Sequence, residues 1–129
     1  MLTILEAKDL SGYRSVIANI PNSSELHISE LTEPDGVKGY IVYAYEPEQV
    51  VIYALEDGGD LNYCDGLARS VLFKAEMRGI ERAVFQEAKP DICKHLALLR
   101  FIKSDKKSLD SIAEIMDSCK SCKENPANT

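Results

Sequence analysis

The sequence predicts a mixed α/β domain, and three observations support this prediction. The segments Gly39 to Tyr45 and Val50 to Leu55 are rich in Tyr, Ile and Val, and the short connection between them is typical of an antiparallel hairpin. A long amphipathic helix follows, and a short strand, Arg82 to Gln86, comes directly after it. A strand, helix and strand in succession need a parallel pair joined by a right-handed crossover. We therefore expect a mixed sheet with helices packed on it.

The chain before the hairpin predicts shorter elements. Leu2 to Leu5 has the composition of a strand, and Asp9 is placed to cap a short helix after it. A second strand is expected over Leu26 to Leu31. The turn Glu33 to Gly36 has the Pro and Gly placement of a tight reversal. The chain should therefore reverse between this strand and the hairpin.

The long helix has the clearest limits in the sequence. Asn62 is a candidate N-cap, Asp65 can reach back to the helix start as in a capping box, and Gly79 suits a left-handed stop. One face of the helix should pack on the sheet, because apolar side chains recur every fourth residue. These side chains are Tyr63, Leu67, Val71 and Ala75, with Leu72 beside them.

The C-terminal part predicts two further helices. Pro90 suits the first turn of a helix that ends near Phe101, and a last helix is expected from Ser108 to about Ser118. We find no internal repeat and no linker. The prediction is therefore one domain over residues 1–118 and a polar, cysteine-containing tail over residues 119–129.

The composition of the chain disfavours several classes of function. The 129 residues suffice for one core, and a net charge of -6 disfavours a nucleic-acid partner, because such affinity comes from Lys and Arg. No apolar run approaches the length of a membrane span, and no signal peptide is recognisable at the N-terminus. The four cysteines then indicate a reducing compartment. We expect a cytoplasmic protein with no membrane partner.

The order of the elements from Gly39 to Phe101 resembles the core of the GNAT (N-acetyltransferase) superfamily. Counting back from Gly79, the Arg/Gln-x-x-Gly-x-Gly/Ala loop of that superfamily falls on Gly59 to Cys64. Counting back from Phe101, its catalytic Tyr falls on Leu96 and the glycine of its Gly-Phe pair falls on Arg100. The resemblance rests on order and spacing more than on identical residues.

The resemblance implies a fold, a cofactor and a reaction. The fold would be GNAT-like, the cofactor acetyl-CoA or another acyl-CoA, and the reaction acyl transfer to an amine whose identity the sequence leaves open. Main-chain groups of Ala54, Leu55 and Glu56 would orient the thioester. The segment with Asn62, Tyr63, Cys64 and Asp65 would lie near the phosphates. Glu56 or Asp57 would serve as the base, and His95, beside Leu96, as the acid.

The chain departs from the superfamily at its phosphate-binding loop. Asn62 and Cys64 replace the two glycines, and Asp60 and Asp65 place negative charge at the first turn of the helix. The alternative hypothesis is therefore a non-catalytic binding module that kept the fold and lost the CoA loop. Such a module would form a homodimer through exposed edges of the Tyr-rich strands.

Cys119 and Cys122 form a separate candidate site. Their spacing lets both thiolates bind one metal ion, such as zinc, or form one disulfide. Zinc would need two more ligands, from Cys93 and His95, from Cys64 and His27, or from another protomer. An unmodified tail is the remaining interpretation.

Overall fold

The computed structural model describes residues 2–18, 20, 26–87, 89–103 and 105–116. The strands are β1 Thr3–Glu6, β2 His27–Glu33, β3 Gly36–Tyr45, β4 Gln49–Glu56, β5 Arg82–Phe85 and β6 Ser108–Leu109. The helices are α1 Arg14–Ile17, which follows a 3-10 turn Ser11–Tyr13, then α2 Leu61–Met77 and α3 Pro90–Leu98. Residues 112–116 are also helical.

The six strands form one mixed sheet in the order β1-β2-β3-β4-β5-β6. Only β4 and β5 are parallel, and the other neighbouring strands are antiparallel. Helix α2 connects the parallel pair, because a chain that returns to run in the same direction needs a crossover. The predicted mixed sheet, β3–β4 hairpin and strand-helix-strand crossover are confirmed.

The two parallel strands pair over only part of β4. Main-chain pairing runs from Gln49 opposite Arg82 to Ile52 opposite Phe85, and the N–H of Gln86 donates to the carbonyl of Ile52 at 2.7 Å. Beyond this point β4 continues to Glu56, paired with β3 alone. A gap therefore opens between the ends of β4 and β5.

The core lies between the sheet and helices α2 and α3. Helix α2 packs its apolar face on β3 and β4, as its sequence pattern predicts, and α3 adds Ile92 and Leu96. Gly79, at a φ of 81°, follows the end of α2 as expected. The buried residues of α2 are Cys64, Leu67, Ala68, Val71, Leu72 and Ala75. No helix among the described residues is both long and apolar enough to cross a bilayer.

Three predictions about helix starts are wrong. Asp60, and not Asn62, caps α2, since its side chain accepts the N–H groups at the helix start. Asp65 pairs with Arg69 at 2.8 Å and does not reach back to the helix start. Asp9 accepts the N–H of Ser11, but the cap positions of the 3-10 turn and of α1 belong to Leu10 and Tyr13.

The expected last helix begins later than predicted. Ser108 and Leu109 form the edge strand β6, because they pair with Val84 and Ala83, and the helical residues start at 112. The Tyr-rich strands β3 and β4 also lie inside the sheet, so they offer no edge for a partner.

Candidate functional site

The gap between β4 and β5 brings together most of the residues that the sequence singled out. The loop after β4 lies on one side of it with the first turn of α2, and the chain from the end of β5 into α3 lies on the other. Because the main chains of β4 and β5 no longer pair here, the polar groups in the gap form hydrogen bonds with side chains.

Glu87 is the side chain that fills the gap at the strand ends. It is 5% exposed, and its carboxylate accepts the N–H of Leu55 at 2.7 Å and the N–H of Lys89 at 2.9 Å. The carboxylate thus replaces the missing strand partner and satisfies buried donors. Sequence reasoning missed Glu87, whose only signal was an acidic residue soon after an apolar strand.

The N–H groups of the β4–α2 loop are also hydrogen-bonded to carboxylates. Gly58 donates to Glu56 at 3.0 Å and Gly59 to Asp57 at 2.8 Å. The first N–H groups of a helix have no partner inside it, and here the Asp60 side chain accepts two of them. These two donors belong to Asn62 and Tyr63, at 2.8 and 3.3 Å.

Asp57, Cys64 and His95 form a cluster at this gap. Asp57 is 1% exposed, and Oδ2 of its carboxylate lies 2.6 Å from Nδ1 of His95. Cys64 is fully buried, and one ligand atom from each of the three residues lies within 4.8 Å of the other two. The loop after β4, the start of α2 and helix α3 therefore place oxygen, sulfur and nitrogen atoms around one point.

The surroundings of Cys64 disfavour the thiolate form of its side chain. Burial, and then the negative charge of Asp57, raise the pKa of the Cys64 thiol to about 12. A catalytic cysteine needs a thiolate at neutral pH. The raised pKa therefore makes Cys64 a poor free nucleophile, although a bound cation would favour its thiolate.

Glu56 lies at the mouth of the gap. Its carboxylate accepts the N–H of Gly58 and pairs with Nζ of Lys89 at 3.1 Å. The Gly58 hydrogen bond and then the Lys89 ammonium lower the pKa of Glu56 below its usual value. Glu56 is consequently ionised at neutral pH and is a weaker base than a free carboxylate.

The other predicted site residues lie around this centre or outside it. Tyr63 donates its hydroxyl to the Glu33 carboxylate, and this hydrogen bond raises the pKa of Tyr63 to about 12. Ala54 is half-buried on β4. His27 pairs with Glu6 at 2.7 Å between β2 and β1, and so is not brought to Cys64 as a ligand.

Cys93 is half-buried, and its thiol donates to the main-chain carbonyl of Glu87 at 3.3 Å. Cys119 and Cys122 lie outside the described residues. A zinc site that joins Cys119 and Cys122 to Cys93 and His95, or to a second protomer, stays a prediction.

A separate surface cleft of about 600 Å³ shares no residue with the Asp57–Cys64–His95 cluster. Its lining carries both signs of charge, and Lys106 there pairs with Asp110 at 2.7 Å. A mixed lining of this kind favours no single ligand charge.

Comparison of the chain with protein-family models, with curated proteins and with solved structures finds no match.

Proposed function

We propose that this chain is a GNAT-like domain that works as a binding or interaction module and does not bind acyl-CoA in the superfamily's manner. The observation that carries the proposal is the set of carboxylates that occupy the main-chain donors of the gap and of the β4–α2 loop. These are the donors that the resemblance would assign to the cofactor.

Two features support the GNAT-like part of the proposal. The sheet has a single parallel pair, β4 and β5. These two strands separate at their C-terminal ends, where β4 leads into α2. Arg100, which falls on the glycine of the Gly-Phe pair, has a φ of 69°, in the left-handed region that glycine prefers. Phe101 next to it is fully buried.

Negative charge at the start of α2 supports the proposed loss of acyl-CoA binding. A pyrophosphate at a helix start needs free N–H groups and the positive end of the helix dipole. At α2 the N–H groups of Asn62 and Tyr63 already donate to Asp60, whose negative charge would also repel a phosphate. At the thioester position the N–H of Leu55 already donates to Glu87. Acyl-CoA would have to displace at least two ionisable groups that the fold holds in place.

Isothermal titration of the full chain with acetyl-CoA and with CoA tests this proposal. We expect no saturable heat at millimolar ligand. A second titration of Asp60→Asn, which keeps a capping side chain and removes its charge, shows whether repulsion alone excludes the ligand. Saturable one-to-one binding by the unmodified chain would reject the proposal. It would favour an acyltransferase in which His95 is the acid and Glu56 or Asp57 is the base.

As the partner of the module we propose a second copy of this chain, joined through β1. This strand is at the edge of the sheet, and no described strand pairs with its outer side. Leu5 on β1 is 67% exposed. Open strand edges with apolar side chains favour pairing with another chain, and a lysine introduced on the edge disfavours it. The dimer would be symmetric, with β1 against β1.

Sedimentation velocity over a range of concentrations tests the dimer. We expect the unmodified chain to sediment as a dimer and Leu5→Lys to sediment as a monomer. Val37→Lys, at an exposed apolar residue on β3, is the matched control and should leave the dimer intact. A monomer at every concentration, or equal dissociation by both substitutions, would exclude this interface.

A further inference from the structure

The Asp57–Cys64–His95 cluster has the composition and arrangement of a metal site. Asp57 follows the end of β4, Cys64 is in the first turns of α2, and His95 is in α3. Their ligand atoms lie within 4.8 Å of one another. Each residue is positioned by a different element, so the cluster is a product of the tertiary fold.

We propose that Asp57, Cys64 and His95 together bind one divalent transition-metal ion, for which zinc is the best match. The proposal rests on the positions of these three side chains and does not depend on whether the domain binds acyl-CoA. It also differs from a site at the tail cysteines, because neither Cys119 nor Cys122 contributes to it.

The donor types favour zinc over magnesium or calcium. Magnesium and calcium take oxygen ligands, whereas zinc takes thiolate, imidazole and carboxylate together. Zinc lies about 2.3 Å from sulfur and about 2.0–2.2 Å from nitrogen or oxygen, so two ligands of one ion are roughly 3.3–3.8 Å apart. To reach this range the Asp57–His95 pair at 2.6 Å would open, and any pair near the 4.8 Å limit would close.

Charge balance supports a divalent ion. A bound Cys64 would lose its thiol proton to solvent and bind as a thiolate. Together with the Asp57 carboxylate it would neutralise the two positive charges of the ion. A neutral centre costs less to bury than an isolated ion, and Asp57 and Cys64 are 1% and 0% exposed.

The surroundings already orient one ligand. Oδ1 of Asp57 accepts the N–H of Gly59 at 2.8 Å, which fixes the carboxylate and directs Oδ2 toward His95. Hydrogen bonds of this type hold metal ligands in position and tune their affinity. Gly59 has a φ of 81°, which a side chain would disfavour, so the loop depends on glycine to present this N–H group.

Three protein ligands leave one zinc position open. The His95 side chain is 20% exposed, whereas that of Asp57 is 2% exposed, so solvent reaches the cluster from the side of α3. A water molecule or an external ligand would take the fourth position there. Structural zinc sites have four protein ligands, whereas sites with three keep a position open for chemistry or for a partner's ligand.

A metal-free hydrogen-bond network is the competing interpretation. In it the Cys64 thiol donates to Asp57, and Asp57 accepts from His95. Cys64→Ser separates the two, because a serine hydroxyl can donate the same hydrogen bond but is a poor zinc ligand. His95→Gln is a second variant at a partly exposed position, where loss of the fold is less of a concern.

Cobalt titration of the full chain tests the proposal. All variants are made in a Cys119→Ser, Cys122→Ser background, so that the tail cannot bind metal. We expect one equivalent of cobalt with a thiolate-to-cobalt charge-transfer band, which zinc then displaces. Cys64→Ser should lose the band. Cys93→Ser, at the half-buried thiol of α3 outside the cluster, should keep it.

Thermal unfolding followed by circular dichroism provides a second measurement, which does not depend on the cobalt absorption band. Zinc should raise the Tm of the background protein and of Cys93→Ser, because a ligand that binds the folded state stabilises it. It should not raise the Tm of folded Cys64→Ser or His95→Gln. A background protein with no charge-transfer band and no zinc-dependent rise in Tm would overturn the proposal. The proposal would also be overturned if Cys64→Ser and His95→Gln left the band and the rise in Tm unchanged.

Discussion

The two halves of β4 are held in different ways. From Gln49 to Ile52 the strand pairs with β5 through main-chain hydrogen bonds, and the side chains of Val50 and Ile52 enter the apolar core. From Ala54 to Glu56 it has lost that neighbour, and the Glu87 carboxylate receives the N–H of Leu55. Where a sheet parts inside a protein, buried donors still need acceptors, and ionised side chains can supply them. The gap is therefore the more polar part of the fold.

Substitution of Glu87 tests how strongly the open half depends on this carboxylate. Glu87→Ala leaves the N–H groups of Leu55 and Lys89 without their acceptor, so we expect the free energy of unfolding to fall by about 1–3 kcal/mol. Glu87→Gln keeps one carbonyl oxygen and should cost less. Urea denaturation measures both. Glu81→Ala, at an exposed residue before β5, should change stability by less than about 0.5 kcal/mol. Equal values for Glu87→Ala and Glu81→Ala would show that the carboxylate does not support the gap.

The start of α2 allows a sharper test, because sequence and structure name different caps. Asp60→Ala should lower the free energy of unfolding by about 0.5–2 kcal/mol, since two N–H groups lose their acceptor. Asn62→Ala, at an exposed residue of the first turn, should have a much smaller effect. Urea denaturation of the two variants side by side decides between them. A larger loss for Asn62→Ala would restore the cap predicted from the sequence.

The smallest expected effect is a dependence of stability on pH that comes from Glu56, at the mouth of the gap. The pKa of Glu56 is lowered in the folded state, so its contribution to stability is complete above the usual value of 4.5 and is lost as pH falls through the lowered pKa. Glu56→Gln should therefore be less stable than the unmodified chain at neutral pH. The difference in Tm between the two should shrink on acidification below pH 4.5. A difference in Tm that grows as the pH falls would show that the pKa of Glu56 is not lowered in the folded state.

Much of the fold could be predicted because local patterns determine it. The β3–β4 hairpin follows from apolar composition and a short connection, and α2 follows from a repeat of apolar residues and the stop at Gly79. The edge strand β6 could not be found in this way. Two residues carry no periodicity, and Ser108 and Leu109 form a strand only because β5 offers its free side.

The candidate site was predicted in part. Asp57, Cys64 and His95 were each named from the sequence, but in separate roles, because nothing in the sequence shows that α3 returns to the loop after β4. Glu87 was missed since its function depends on a gap that only the assembled sheet contains. Asn62 was preferred over Asp60 as cap because both residue types suit that position, and the φ and ψ angles that distinguish them are set by the folded loop.

Arg100 shows that a left-handed bend can form at a residue other than glycine. Its φ of 69° costs a residue with a Cβ roughly 1 kcal/mol, while glycine would add about as much freedom to the unfolded chain. The two contributions nearly cancel, so exchange to glycine at this corner would be close to neutral. What maintains the corner is the ring of Phe101, enclosed on all sides just after it. Arg100→Gly should therefore change stability little, whereas truncation of the Phe101 ring should destabilise the fold.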